Sequence, residues 1–316
     1  MSLDQKMNKV VIIVGPTAVG KTRLSIRLAK RINGEIVSAD SRYIYRGMDI
    51  GSAKPSIIER ENVPHHMIDI AAPDETWSLA QYFELSRQKI DEILARSHVP
   101  IIVGGTGQYI RAMTEGWTVP ALEPDPVLRT VLNDWAKEIG PQELFRKLGV
   151  VDREACTFID ASNVRRTIRA LEVIFSTGKK FSSLRTKNKP KNDFWIVGLT
   201  LPRSKLYANV DQRIEEMFKI GLIEEVKNLL QQGYDDTLPS MSAIGYREVA
   251  QFLKGEISID EVKTLMRRNT RKFIRRQANW FKPDDPSIHW YSVEEDPLDK
   301  IVKEINEKFF NKMDTQ

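Results

Sequence analysis

At 316 residues, 41% of them hydrophobic, the chain can bury one sizeable core plus a smaller unit, which excludes a fibrous or disordered protein. Its single cysteine, Cys156, rules out an internal disulfide and a cysteine-rich zinc site and fits a reducing cytoplasm. With 48 Lys and Arg against 43 Asp and Glu the net charge is +5, which permits a polyanionic partner without requiring one, and no apolar run is long enough for a membrane span or a signal core.

After a polar start, Val10 to Val14 is a short β-branched run with the pattern of a buried strand. It leads into Gly15-Pro16-Thr17-Ala18-Val19-Gly20-Lys21-Thr22, a full match to the phosphate-loop pattern G-x-x-x-x-G-K-[ST]. Leu24, Leu28 and Ile32 follow at helical spacing and Asn33-Gly34 stops the helix, so the loop lies between strand and helix. There the loop amides and the helix N-terminus converge on phosphate oxygens, Lys21 adds a cation, and the Thr22 hydroxyl is a contact for magnesium. The motif does not say which phosphate is held.

A second strand, Glu35 to Ser38, runs into Ala39-Asp40-Ser41-Arg42-Tyr43. A carboxylate at that strand end lies on the usual ligand edge of an open α/β sheet, and Asp40 suits a magnesium ligand, a proton acceptor or a helix or turn cap. A glycine-punctuated loop with one lysine, Lys54, precedes His65-His66; adjacent histidines suggest a metal, a substrate lining or simple packing. Ser78 and Gln81 form a capping box that opens an amphipathic helix through Leu94. The strand Val99 to Val103 then ends in Gly104-Gly105-Thr106, where nucleotide hydrolases usually place an acid. Small residues there leave room for a substrate within reach of the Thr106 hydroxyl, or make a tight turn with an N-cap.

From Trp117 the composition changes. Pro120, Pro124 and Pro126 read as a stiff connector, and helices are expected over Val127–Gly140, Gln142–Leu148, Arg153–Ile159 and Asn163–Thr177. Arg165, Arg166 and Arg169 lie on the last of these, ahead of a lysine-rich segment that includes Arg185; so one-sided a run suits contact with a polyanion as well as a solvated face. Trp195 to Leu201 returns to the sheet as a strand, and Asp211 to Leu230 reads as helix with Gly221 between two halves. Leu238 to Arg247 forms a loop and a helix start. On the helix Asp260 to Phe281, Val262, Leu265, Met266, Phe273, Ile274 and Trp280 form an apolar stripe, opposite Arg267, Arg268, Arg271, Lys272, Arg275 and Arg276. With only Asp260 and Glu261 to offset them locally, those cations call for an anion nearby. A strand at Ile288–Val293 and a helix at Leu298–Phe310 close the chain.

The ordered set GPTAVGKT, SADSRYIYRGMDIGSAKP, VPHHMID, VGGTGQY, NVRRTIRALEV, DQRIEEMF, SAIGYRE and RKFIRRQANWF resembles the bacterial tRNA dimethylallyltransferases, over nearly the whole chain. One departure is Asp160-Ala161-Ser162-Asn163, where the family more often has a His-Pro-Asn-Asn type of run.

The resemblance implies an α/β fold: a P-loop NTPase-like parallel sheet flanked by helices, formed by residues 1–117 and 194–316, with an all-helical, tRNA-binding insertion at 118–193. It implies that Gly15 to Thr22 bind the diphosphate of dimethylallyl diphosphate rather than ATP, with Mg2+ at Thr22. The five-carbon group would pass to N6 of the adenosine next to the anticodon, with Asp40 as general base, Thr106 bonding substrate, and Lys21 and Arg247 neutralising the leaving group. The implied contacts to the anticodon stem-loop of tRNA are Asp40, Ser41, Arg42, Tyr43, Thr106, Asn163, Val164, Arg165, Arg166, Thr167, Arg271 and Arg275. A cytoplasmic monomer without membrane contact is expected. A small-molecule kinase, a prenyltransferase acting on free AMP or ADP, and a non-catalytic RNA-binding module are the competing readings; the first two have no use for the basic segments, and the third has none for Lys21 and Thr22.

Overall fold

The computed structural model describes residues 8–118, 125–184 and 186–310. The connector prolines Pro120 and Pro124, and Arg185, lie outside the described residues. The chain divides into two compact units, one of residues 1–77, 84–110 and 191–316, the other of residues 78–83 and 111–190, where the sequence reading drew an insertion at 118–193.

The regular elements in chain order are β1 (Lys9–Val14), α1 (Lys21–Ile32), β2 (Gly34–Ser38), β3 (His65–His66), α2 (Leu79–Ala95), β4 (Val99–Val103), α3 (Gly107–Thr114), α4 (Pro126–Ile139), α5 (Pro141–Val151) and α6 (Val164–Thr177). They continue with β5 (Asp193–Thr200), α7 (Arg203–Lys219), α8 (Leu222–Gln231), α9 (Tyr246–Leu253), α10 (Ile259–Trp280), β6 (Ile288–Ser292) and α11 (Leu298–Glu304), which runs into a π-helical turn at Ile305–Phe310.

The strands form one parallel sheet in the order β3-β2-β4-β1-β5-β6, the expected class. Val10 to Val14 are fully buried, as a strand covered on both faces must be, and β1 lies between β4 (Val11 beside Ile101) and β5 (Val11 beside Trp195). Because every strand points the same way, the turns after β1, β2 and β4 emerge on one edge, bringing Gly15–Thr22, Asp40–Tyr43 and Gly104–Thr106 together. The helices α7, α8, α9 and α10 pack on one another in sequence and α10 also meets α7.

Three local expectations are narrowed or changed. Of the readings open for His65-His66, packing fits: the pair is a two-residue edge strand, and Glu35, buried in β2, accepts from His66 Nε2 at 2.6 Å, from His98 Nδ1 at 2.6 Å and from Arg96. The helix expected at Arg153–Ile159 is only a 3-10 turn, Ala155–Thr157, because the buried Asp152 carboxylate takes the Ala155 N–H together with the N–H and hydroxyl of Ser182. The helix expected from Asp211 to Leu230 starts earlier, at Arg203, and divides into its two halves at Gly221 as expected, where the φ of 106° is one an L side chain rarely adopts.

The second unit has helices as its regular elements among the described residues. Pro126 opens α4 rather than belonging to a connector, with the Asp125 carboxylate capping Val127 and Leu128. Leu132, Leu144, Leu148, Ile168 and Leu171 form its core, and Glu172, fully buried, is satisfied by Arg129 and Arg169.

Candidate active site

The phosphate loop is held by its own backbone and by distant residues. A Cβ at Gly15 would lie 2.8 Å from the Leu199 carbonyl, so the turn out of β1 requires glycine. The Lys21 ammonium donates to the carbonyls of Gly15 at 3.0 Å and Pro16 at 2.8 Å. Burial lowers its pKa to about 8, opposed by the Asp40 carboxylate and assisted by the Arg213 guanidinium.

Asp40 follows β2, and its Oδ1 accepts the Arg42 N–H at 2.9 Å, so the turn-cap role is real and coexists with placement in the site. Burial raises its pKa, against the pull of the Arg42 amide and the cations of Lys21, Arg42 and Arg213. Thr106 Oγ1 accepts the Ser41 N–H at 3.2 Å, which leaves its hydroxyl proton free to be donated. Tyr43 donates its hydroxyl to the Ala53 carbonyl at 2.6 Å, and burial, before any other cause, raises its pKa.

The glycines after β4 are required by their protein neighbours, and Gly105 also lines a cleft. A Cβ at Gly104 would sit 2.2 Å from the Ala39 carbonyl oxygen, and one at Gly105 would sit 2.0 Å from Gln277 Nε2. Gln277, buried on α10, accepts the Thr17 N–H at 2.8 Å and donates to the Gly105 carbonyl at 3.3 Å, tying the phosphate loop to the turn after β4.

These parts meet at a cleft of about 620 Å³. Thr17, Ala18, Asp40, Ser41, Arg42, Thr106 and Arg247 line it, whereas Lys21, Thr22 and Tyr43 lie outside its lining. Its lining charges are one acid, Asp40, against Arg42, Arg213, Arg247, Lys272 and Arg276, an electrostatic bias toward anions. Val210, Ile214, Met217, Met266 and Phe273 provide an apolar wall.

Three sequence expectations are corrected on α10. Phe273 and Trp280 are not core residues; they are partly exposed and line the cleft, and Val262, Met266, Ile274 and Gln277 form the buried stripe. Lys272 and Arg276 share that cleft-facing side instead of opposing it. The demand for an external anion is met in part from within, since Asp211 and Glu215 of α7 pair with Arg267 and Arg271, and Arg271 also stacks on Tyr207. Arg271 therefore already has a carboxylate, while Arg268 and Arg275 are exposed.

In the second unit, Asn163 caps α6 through the Arg166 N–H, and Arg165 and Arg166 are exposed. Val164 packs against the helical core and Thr167 is buried, its hydroxyl donating to the Asn163 carbonyl, so neither side chain is presented for contact as expected. Arg42 spends its guanidinium on the carbonyls of Pro239 and Ser240 as well as lining the cleft.

Arg213 was missed. It lines the cleft and acts on the charges of Lys21, Asp40 and Tyr43, and its sequence signal is its place in the stretch DQRIEEMF, next to Ile214 and one turn before Met217, on a helix whose Asn209 donates to the Ala18 carbonyl of the phosphate loop. Among the described residues no group of three or more His, Cys, Asp or Glu could hold a metal, and no helix is long and apolar enough to cross a membrane.

Residues 43–284 match the sequence pattern of the IPP transferase family. The chain is 49% identical over 276 residues to a tRNA dimethylallyltransferase of a Roseiflexus species, covering 87% of this chain and 90% of that one. It is similar to the crystal structure of the tRNA isopentenylpyrophosphate transferase of Bacillus halodurans, at 37% identity and a TM-score of 0.72 over 96% of this chain and 97% of that one. A eukaryotic dimethylallyltransferase acting on tRNA shares the fold, at 24% identity and a TM-score of 0.80, covering 96% and 80% of the two chains. With the family pattern matched over most of its length and relatives of this identity spanning nearly all of it, the chain belongs to the IPP transferase family.

Proposed function

We propose that this protein transfers the dimethylallyl group of dimethylallyl diphosphate to N6 of the adenosine next to the anticodon in tRNA. The observation that carries the reading is the pairing, in one cation-rich cleft, of a phosphate loop with a single carboxylate, Asp40. Relatives named as tRNA dimethylallyltransferases support it.

An exocyclic adenine amine is a weak nucleophile because its lone pair is delocalised into the ring. The allylic C1 must therefore be made electrophilic by stabilising the departing diphosphate. The amides of Gly15 to Thr22, the Lys21 ammonium, Arg213 and Arg247 carry that task on the cleft's phosphate side. The C1–O bond breaks as N6–C1 forms, the diphosphate leaves with the bonding pair, and the N6 proton passes to Asp40. The nitrogen grows more acidic as it is alkylated, so a carboxylate suffices as base. Thr106, whose hydroxyl proton is free, bonds substrate beside it.

The Thr22 hydroxyl is the protein oxygen assigned to Mg2+, whose remaining ligands would come from phosphate and water. When bound, that ion supplies charge neutralisation to the leaving diphosphate.

The base must leave its stack to reach Asp40, at a cost of a few kcal/mol, which backbone contacts offset. Ser41, the exposed Arg165, Arg166 and Arg275, and Lys272 and Arg276 in the cleft are the residues assigned to the RNA. The lone cysteine suits the cytoplasm.

Incubation with labelled dimethylallyl diphosphate and either unmodified tRNA or AMP tests the proposal. Label is expected in tRNA alone; label in AMP, or ATP turnover without RNA, overturns it.

A further inference from the structure

The loop between β2 and β3 is held by a carboxylate that does not line the cleft. Glu225 on α8 accepts the N–H groups of Asp49 at 3.0 Å and Ile50 at 2.7 Å on Oε2, and that of Gly51 at 3.1 Å on Oε1. Consecutive amides converging in this way form an anion nest, filled here by the protein's own side chain. Oε1 also accepts the Tyr246 hydroxyl at 2.7 Å.

Tyr246 is fully buried, and its ring lies so close to the turn that a Cβ at Gly51 would be 2.5 Å from Cε2. The far end of the loop is held by Lys54, whose buried ammonium donates to the Tyr45 carbonyl at 2.7 Å and to Asp49 and Asp69.

This network has consequences in the cleft. Gly51, Ser52 and Ala53 line it on one side, and Ser242, Ala243, Ile244 and Arg247, at the start of α9, line it beside Tyr246. Ala53 is further joined to the turn after Asp40 through the Tyr43 hydroxyl. Glu225 and Tyr246 thus tie together two stretches of wall, the first of which is joined through Tyr43 to the turn that carries Asp40.

We propose that Glu225 is a positioning residue that, acting through the amides of 49–51 and the phenol of Tyr246, sets the spacing of the wall that receives the extruded purine next to Asp40. The inference rests on the function proposed above. Replacing Glu225 with Gln turns an NH2 group toward backbone N–H donors, which separates the lip from α9 without touching the phosphate loop.

Steady-state kinetics with unmodified tRNA and dimethylallyl diphosphate, each varied in turn, test this. Glu225→Gln is expected to lower kcat/KM for tRNA about tenfold to a hundredfold, as a misplaced acceptor does, with donor KM within about twofold of the parent. Tyr246→Phe, which keeps the ring and removes one hydrogen bond, is expected to lower the same quantity about three- to tenfold and to serve if Glu225→Gln fails to fold. The double variant should lose less than the product of the two single losses, because Tyr246 acts through its bond to Glu225. An equal loss against both substrates, or none, overturns the positioning role. Absence of transfer to tRNA by the unaltered protein overturns the function itself.

Discussion

Lys21 and Asp40 carry each other's charge in their proton affinities: the carboxylate raises the pKa of the ammonium and the ammonium lowers that of the carboxylate, each against a larger opposing effect of burial. A base and a cation held this way sit nearer neutrality than either would in water. The pH dependence of the reaction follows from both.

A base must be ionised to take a proton, so activity is lost as pH falls through the pKa of Asp40. Burial raises that pKa, which places the acid limb of the kcat/KM profile above the ordinary carboxylate range. Asp40→Asn is expected to lower kcat by about 10²–10⁴-fold and to abolish the limb while tRNA binding in a filter assay survives. Turnover close to that of the parent would remove Asp40 as the base.

Lys21 works in the opposite sense. Its ammonium, with a pKa of about 8 in the free protein, is lost as pH rises through that value, so donor KM climbs on the alkaline side. Lys21→Ala is expected to raise donor KM about tenfold or more at neutral pH, because a charge-assisted bond to diphosphate is removed. A donor KM that stays flat from about pH 7 to 9 contradicts the role.

Arg271 and Arg275 should separate cleanly despite lying one turn apart. Arg275 is exposed, and Arg275→Ala is expected to weaken tRNA binding and reduce its salt dependence by about one phosphate contact, with the unfolding midpoint unchanged. Arg271→Ala leaves the Asp211 carboxylate with only its longer contact to Arg267 and removes the stack on Tyr207, so denaturant unfolding should show a loss of about 1 kcal/mol. The reverse pattern would reassign the RNA contact to Arg271.

Glu35 predicts how the fold responds to acid. Burial alone would raise its pKa, but hydrogen bonds from Arg96, His66 and His98 bring it down from 4.5 to about 2. A carboxylate whose folded pKa is depressed contributes stability above its unfolded value, and that stability drains away as pH falls from about 4.5 toward 2. Glu35→Gln is expected to cost on the order of 2 kcal/mol at neutral pH and to flatten the acid side of a stability–pH curve. A curve parallel to that of the parent below pH 4.5 would show that the network is not the source.

Much of this site was legible because its chemistry constrains type and spacing over a few adjacent residues. The phosphate loop needs its glycines, lysine and threonine between a buried strand and a helix, and Val10 to Thr22 show them in a row. Asp40 and Thr106 could be placed on the ligand edge because parallel strands put their following turns there. The two-residue strand at His65-His66 is too short for any periodicity to appear. Gly104 and Gly105 read as room for a ligand, and what the sequence could not show is that Ala39 and Gln277, from distant parts of the chain, also require glycine there. Arg267 and Arg271 read as unpaired because Asp211 and Glu215 lie on another helix.

By itself the sequence settled the sheet class, the phosphate grip and the position of one carboxylate, since hydrophobic pattern and motif spacing are local quantities. Only the folded chain decided which cations reach the cleft, as Arg213 and Arg276 do, and which are spent on carboxylates, as Arg271 is. It also decided that Gln277 and Glu225 hold the walls. Burial and pairing depend on what the rest of the chain brings within a few ångströms, and no window of neighbouring residues contains that information.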